Sequence, residues 1–190
     1  MSTYWFGALA LPERFLMLRS GLFGLIFLLA SFAITPLVRL AKWGWAASLR
    51  RPLALYGFAF IVLHLYCYAV LENALNWELI GRDLAERPAM SAGVIAFLLL
   101  VPLVVTSTQG WQRRLGRRWK PLHRLIYVAL PLSVLHFYWL ERDLKSGPLF
   151  FAALVGLLLL LRVPAVRRGI GFTRRFLPSN RIYKNDQKDT

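Results

Sequence analysis

The chain has 190 residues, is 57% hydrophobic and only 17% charged, and its mean hydropathy is +0.50. A soluble domain of this size is nearer half apolar with about a quarter of its residues charged, so the composition disfavours a soluble enzyme, a disordered chain and a coiled coil. Twenty-four Lys and Arg against nine Asp and Glu give +15; on so apolar a chain this reads as cytoplasmic loops and contact with anionic lipid, with no nucleic acid as partner. A single cysteine excludes an internal disulfide, a CxxC zinc site and a CxxCH attachment.

A spanning helix needs about 20 mostly apolar residues. The opening Tyr4–Leu11 stretch (YWFGALAL) is too short, is followed by Pro12 and charged Glu13–Arg14, and lacks the basic start of a signal peptide. Residues 1–19 are therefore expected to form an interfacial segment. Spanning segments are then predicted at Ser20–Val38, Pro52–Leu71, Met90–Thr108 and Pro121–Leu140, with a shorter fifth at Pro148–Val163. The expected fold is an all-α integral membrane bundle of about five helices over 20–163, followed by a basic cytoplasmic tail, 164–190. No internal repeat or low-complexity tract is evident.

Loop charges orient the bundle. Seventeen Lys and Arg fall on one side: Arg39, Lys42, Arg50 and Arg51 after the first segment, the Arg113–Lys120 cluster after the third, and eight from Arg162 onward. Six fall on the other side, and the richer side belongs in the cytoplasm. The N-terminus is then outside and the C-terminus inside. The longest outside connection, 72–88, is net acidic; its LIGRDLAERP run predicts a short surface helix and a docking place for a partner on the outer side.

All three histidines lie in predicted spanning segments, where an ionisable residue is costly and is a functional candidate by default. His64 stands ~18 Å along the second segment and His136 ~22 Å along the fourth, at 1.5 Å per residue. Both segments start at the inner face, so the two imidazoles reach a similar depth nearer the outside, which suits two axial ligands of one haem iron. His123 lies ~20 Å below His136 by the same rise, at a level suited to a second, inner haem. Its counterpart level on the second segment holds Arg50 and Arg51, which pair well with a propionate but are poor iron ligands. On a straight helix His123 and His136 point ~140° apart, and Pro131 between them is the expected kink.

Other residues carry weaker signals. Gly57, on the face of His64, serves either a flat macrocycle or helix packing. Cys67 reads as a small core residue. Thr106–Gln109 reads as a helix end more than as a propionate or flavin phosphate site. No P-loop, GxGxxG, HExxH or nucleophile elbow occurs, so electrons are expected from a separate donor.

Five stretches carry a family resemblance: Ile34–Lys42 (ITPLVRLAK), Arg50–Glu72 (RRPLALYGFAFIVLHLYCYAVLE), Arg87–Pro88, Thr106–Tyr127 (TSTQGWQRRLGRRWKPLHRLIY) and His136–Leu140 (HFYWL). Over about Leu18–Val163 the chain resembles the MsrQ (YedZ) family, haem-binding membrane subunits of the periplasmic protein-methionine-sulfoxide reductase system within the ferric-reductase-like transmembrane superfamily. The resemblance implies non-covalent haem b, one or two per chain, held by His64, His123 and His136, and association with FMN. It also implies electron flow from a cytoplasmic flavin reductase or quinol to a periplasmic molybdopterin subunit of the MsrP type, making this chain the electron-transfer subunit and not the catalytic one. Family members have a helix before the first segment found here; about nineteen residues stand in its place. Two other readings stay open: a stand-alone ferric reductase-like cytochrome, and a small transporter or structural membrane protein whose histidines serve packing.

Overall fold

The computed structural model describes residues 12–141 and 145–162. The Tyr4–Leu11 stretch, Arg142 and the tail from 163 onward lie outside the described residues. Helix α1 (Pro12–Leu40) starts before the expected Ser20. Proline fits a first helical turn, where its missing N–H has no partner to lose, and Glu13 sits at the positive end of the helix dipole. After a 3-10 turn (Gly44–Leu49), α2 (Arg50–Tyr66) continues through a wider π-helical turn over Cys67–Glu72.

The outer connection forms the expected surface helix, α3 (Trp77–Glu86). Asn76 caps it by accepting from the Glu78 and Leu79 amides at 3.1 and 3.2 Å. Arg87, held extended before Pro88, ends it, and Pro88 opens α4 (Pro88–Val105). Past α4, Thr108 caps α5 (Gln109–Leu115), and Gly116, with φ +48°, turns the chain. The expected Pro121–Leu140 helix is divided. Helix α6 (Trp119–Leu122) gives way to a 3-10 turn at His123–Leu125 before α7 (Ile126–Leu140). The break thus falls at His123–Leu125, while α7 runs unbroken through Pro131. Helix α8 (Ser146–Leu160) is last among the described residues.

Residues 12–40, 44–72 and 88–105 form helices long and apolar enough to cross a membrane, and α7 and α8 are shorter, 15 residues each. The protein is an all-α membrane bundle whose apolar outer surface, including Phe23, Ile26, Val62, Leu98 and Leu157, is exposed to lipid. Helix α2 packs on α1, and α7 packs between α4 and α8; α2 and α7 have no extensive direct contact. The shared core is drawn from α1 (Leu25, Leu28, Leu29, Phe32), α4 (Leu100, Leu103), α7 (Ala129, Leu130, Val134) and α8 (Val155, Leu158). No fully buried α2 side chain belongs to this core; Phe58 and Ile61 of α2 pack against it partly buried.

Glycine brings α1 and α2 together. A Cβ on Gly57 would stand 3.0 Å from the Leu28 amide nitrogen and 3.1 Å from the Gly24 carbonyl oxygen. A Cβ on Gly24 would meet Ile61 Cγ1 at 2.7 Å. Gly57 therefore serves helix packing, which decides between its two sequence readings. Gly57→Ala pushes against backbone, which cannot swing away, and should destabilise the bundle by ~1–3 kcal/mol. The check is the thermal unfolding midpoint in detergent: Gly57→Ala should lower it, and Gly156→Ala, whose added carbon meets nothing within 4 Å, should not.

Candidate functional site: a paired-histidine centre

Two of the three histidines come together. His64 on α2 and His136 on α7 have ring centroids 6.2 Å apart and ring planes crossed at 85°. Each ring is tied to a neighbouring helix. His64 Nδ1–H donates to the Met17 carbonyl oxygen on α1 at 2.8 Å, and His136 Nδ1–H donates to the Ala89 carbonyl oxygen on α4 at 2.7 Å. A carbonyl only accepts, so these contacts put the proton on Nδ1 and leave Nε2 as a lone-pair donor on both rings. The Met17 oxygen also accepts the buried Ser20 hydroxyl at 2.9 Å.

Each ring also lies against a glycine one helical turn from its carbonyl. A Cβ on Gly21 would stand 2.8 Å from His64 Nδ1, and one on Gly93 would stand 2.6 Å from His136 Nδ1. No larger residue lets the imidazole come so near the helix. Both rings are only half-buried by protein, because the helices that carry them do not pack on each other.

Chemically, this is a two-donor site. Among the described residues no group of three or more His, Cys, Asp or Glu could hold a metal ion. A bare ion would be short of protein ligands, whereas two imidazoles suit a metal whose other positions are filled by a macrocycle. The separation fits: an ion midway between two nitrogens at ~2 Å from each places the ring centroids roughly 6 Å apart. Two Nε2 lone pairs on rings whose centroids lie 6.2 Å apart are together the donor set that a bis-imidazole haem requires.

The remaining predicted residues lie elsewhere. His123 is on the 3-10 turn at the inner end, with its ring against Trp119 at 4.1 Å between centroids. The Thr106 hydroxyl donates to the Pro102 carbonyl at 2.6 Å, so its oxygen accepts from His123 Nε2–H at 3.1 Å. His123 thus has the opposite tautomer to the pair, with Nε2 already committed. Arg50 and Arg51 are exposed at the start of α2, and Arg50 is near enough to interact electrostatically with His123 and Arg162. Arg162 lies 3.6 Å over the Phe32 ring and donates to the Tyr127 hydroxyl at 3.1 Å. Cys67 is buried, and Thr108 caps α5. An apolar groove of about 330 Å³ between α7 and α8, lined by residues such as Pro131, Leu135 and Gly156, includes neither member of the pair.

Sequence reasoning missed Met17, Gly21, Ala89 and Gly93, and it missed the repeat that unites them. Each carbonyl precedes its histidine by 47 residues. Val62–Tyr66 reads VLHLY and Val134–Tyr138 reads VLHFY, with a glycine the same distance before each. The expectation of no internal repeat is thereby corrected. The match, four residues of five, is visible in the sequence, but the two clasps identify themselves only once the helices are paired.

The family model for the ferric reductase like transmembrane component matches residues 18–134, which takes in Gly21, His64, Gly93 and His123. A protein-methionine-sulfoxide reductase heme-binding subunit, MsrQ, from Rhodospirillum rubrum is 50% identical over 152 residues, covering 78% of this chain and 72% of that protein. No solved structure matches.

The tautomers are directly measurable. In ¹⁵N-histidine NMR of haem-free protein, His64 and His136 should give Nδ1–H signals and His123 an Nε2–H signal, with Thr106→Val removing the preference of His123 alone.

Proposed function

Since the chain belongs to the MsrQ family of ferric reductase-like membrane proteins, we propose that it is a haem b-binding electron-transfer subunit in which His64 and His136 are the axial ligands of one iron. The observation that carries this reading is the crossed pair at 6.2 Å with both Nε2 atoms unprotonated. When bound, the haem supplies reversible one-electron chemistry. The chain supplies the rest: α1 and α4 fix the tautomer of each ring and hold it by a carbonyl oxygen.

The partner system follows from the relative's role. The Rhodospirillum protein is a subunit of a methionine sulfoxide reductase, and we assign this chain the same place, delivering electrons to a periplasmic molybdopterin reductase of the MsrP type. The basic inner face supports a cytoplasmic donor, either a flavin reductase with FMN or a quinol, and supports an inner-membrane orientation with the N-terminus in the periplasm. Arg50 and Arg51 are the anion-pairing groups available to an inner cofactor. An inner haem at His123 requires that ring to leave Thr106 or to ligate through Nδ1.

The test is the purified protein. It should show a Soret band and a low-spin spectrum; their absence ends the haem reading and favours a transporter or packing role. Loss of the imidazole in His64→Ala or His136→Ala should abolish the bis-imidazole spectrum, while His123→Ala keeps it. The haem-to-protein ratio of His123→Ala against the parent then counts whether a second haem depends on His123. Reduction of chelated iron without any partner would instead favour the stand-alone reductase.

The outer helix α3 is the proposed docking element. Asp83 and Glu86 are already engaged, with Arg87 at 3.3 Å and Arg82 at 3.4 Å, and Asp83 also accepts from Tyr68 at 2.9 Å. Glu78, beside exposed Trp77, is the acidic group of α3 left for a partner. Glu78→Lys should therefore slow electron delivery several-fold at low salt and little at high salt, with haem content unchanged. Equal rates across a salt series would remove α3 from the docking face.

A further inference from the structure

Two independent helix pairs hold the histidines by the same device. In each, a carbonyl and a glycine four residues apart on one helix meet an imidazole on the next: Met17 and Gly21 for His64, Ala89 and Gly93 for His136. The spacing of carbonyl to histidine is 47 residues in both, and the VLHLY and VLHFY motifs carry the two rings. The duplication covers what touches the imidazole and little else. Ser20, which shares the Met17 oxygen, has Ala92 as its counterpart, and Arg51 stands where the second copy has His123.

We propose that these paired carbonyl–glycine clasps are the positioning elements that set the crossed ring planes and the reduction potential of the His64/His136 haem. The proposal rests on the haem reading above. A carbonyl acceptor on Nδ1–H makes the opposite nitrogen a stronger donor, which favours the ferric over the ferrous iron and holds the potential down. The glycine fixes how near the ring lies to the helix, and hence the length and direction of that bond. Because α1 and α4 approach their histidines from different helix pairs, the two rings are locked independently and stand at 85°. Crossed axial imidazoles give ferric haem a strongly anisotropic low-spin resonance, whereas parallel ones give a rhombic signal. Met17 and Ala89 act through their backbone, so side-chain replacement there leaves the clasp in place; the glycines are where it can be broken.

The experiment is electron paramagnetic resonance and redox titration of the purified haem-loaded protein and three variants. The parent should show the strongly anisotropic signal. Gly21→Ala and Gly93→Ala each place a carbon under 3 Å from Nδ1, so each should push its ring off the carbonyl, turn the signal toward rhombic and raise the potential. The expected rise is about tenfold in the ferrous-to-ferric ratio at a fixed ambient potential, ~59 mV for a one-electron couple. Ser20→Ala removes the competing donor from the Met17 oxygen without touching a ring and should move the potential the opposite way. It also decides the matter if either glycine variant does not fold: a downward shift supports the clasp, and no shift overturns it. Glycine variants that keep parent haem content, signal and potential overturn the clasp and leave the haem reading standing. A parent without haem overturns the haem reading itself.

Discussion

In a hydrocarbon solvent a helix gains nothing from pressing leucine against leucine that lipid would not give it, so association rests on close packing and on hydrogen bonds between helices. Here both come from the same small set of glycines. Gly24 and Gly57 let α1 and α2 meet backbone to backbone, and Gly21 and Gly93 let an imidazole lie on the neighbouring helix. The bond from Nδ1–H to a helix carbonyl then satisfies a polar group that the membrane would otherwise leave unpaired. A methyl on Gly24 or Gly57 would press the α1–α2 pair apart, and one on Gly21 or Gly93 would press its ring off the carbonyl.

That coupling explains why the site lies between pairs of helices and not within one. Helix α1 holds α2, and α4 holds α7, so each histidine is positioned by its own pair before the two pairs face each other. The resulting site has two imidazoles with centroids 6.2 Å apart and no third ligand among the described residues. Such a site discriminates by geometry. It takes a flat, apolar molecule that brings its own equatorial ligands, and it lacks the donors to hold a free divalent ion.

The bundle was legible in the sequence because spanning segments are set by length and hydropathy, and the depth of His64 and His136 followed from counting residues at a fixed rise. What counting cannot give is azimuth. Gly57 shares a face with His64, and both lie against α1, yet spacing does not say which helix that face meets. Such contacts leave no periodic signature in a segment apolar on every side. The clasps were hidden for the same reason: a glycine and a main-chain oxygen carry no chemistry until a ring is set against them.

The repeat also shows where the two halves have parted. At the outer end both copies keep glycine, carbonyl and histidine. Toward the inner end the copies differ, with exposed Arg51 on α2 where the other half has His123. The first copy begins its helix there, at Arg50 after the 3-10 turn of Gly44–Leu49; in the second, a 3-10 turn at His123–Leu125 lays His123 on Trp119 and Thr106. A guanidinium stays charged at any working pH and holds anions, while an imidazole can ligate, so replacing one by the other converts a symmetric pair of sites into an asymmetric one. One end of the bundle is left with two matched imidazoles, each with Nε2 free, and the other with a histidine committed to Thr106 near the fixed charge of Arg50, so the two ends differ in what they can bind.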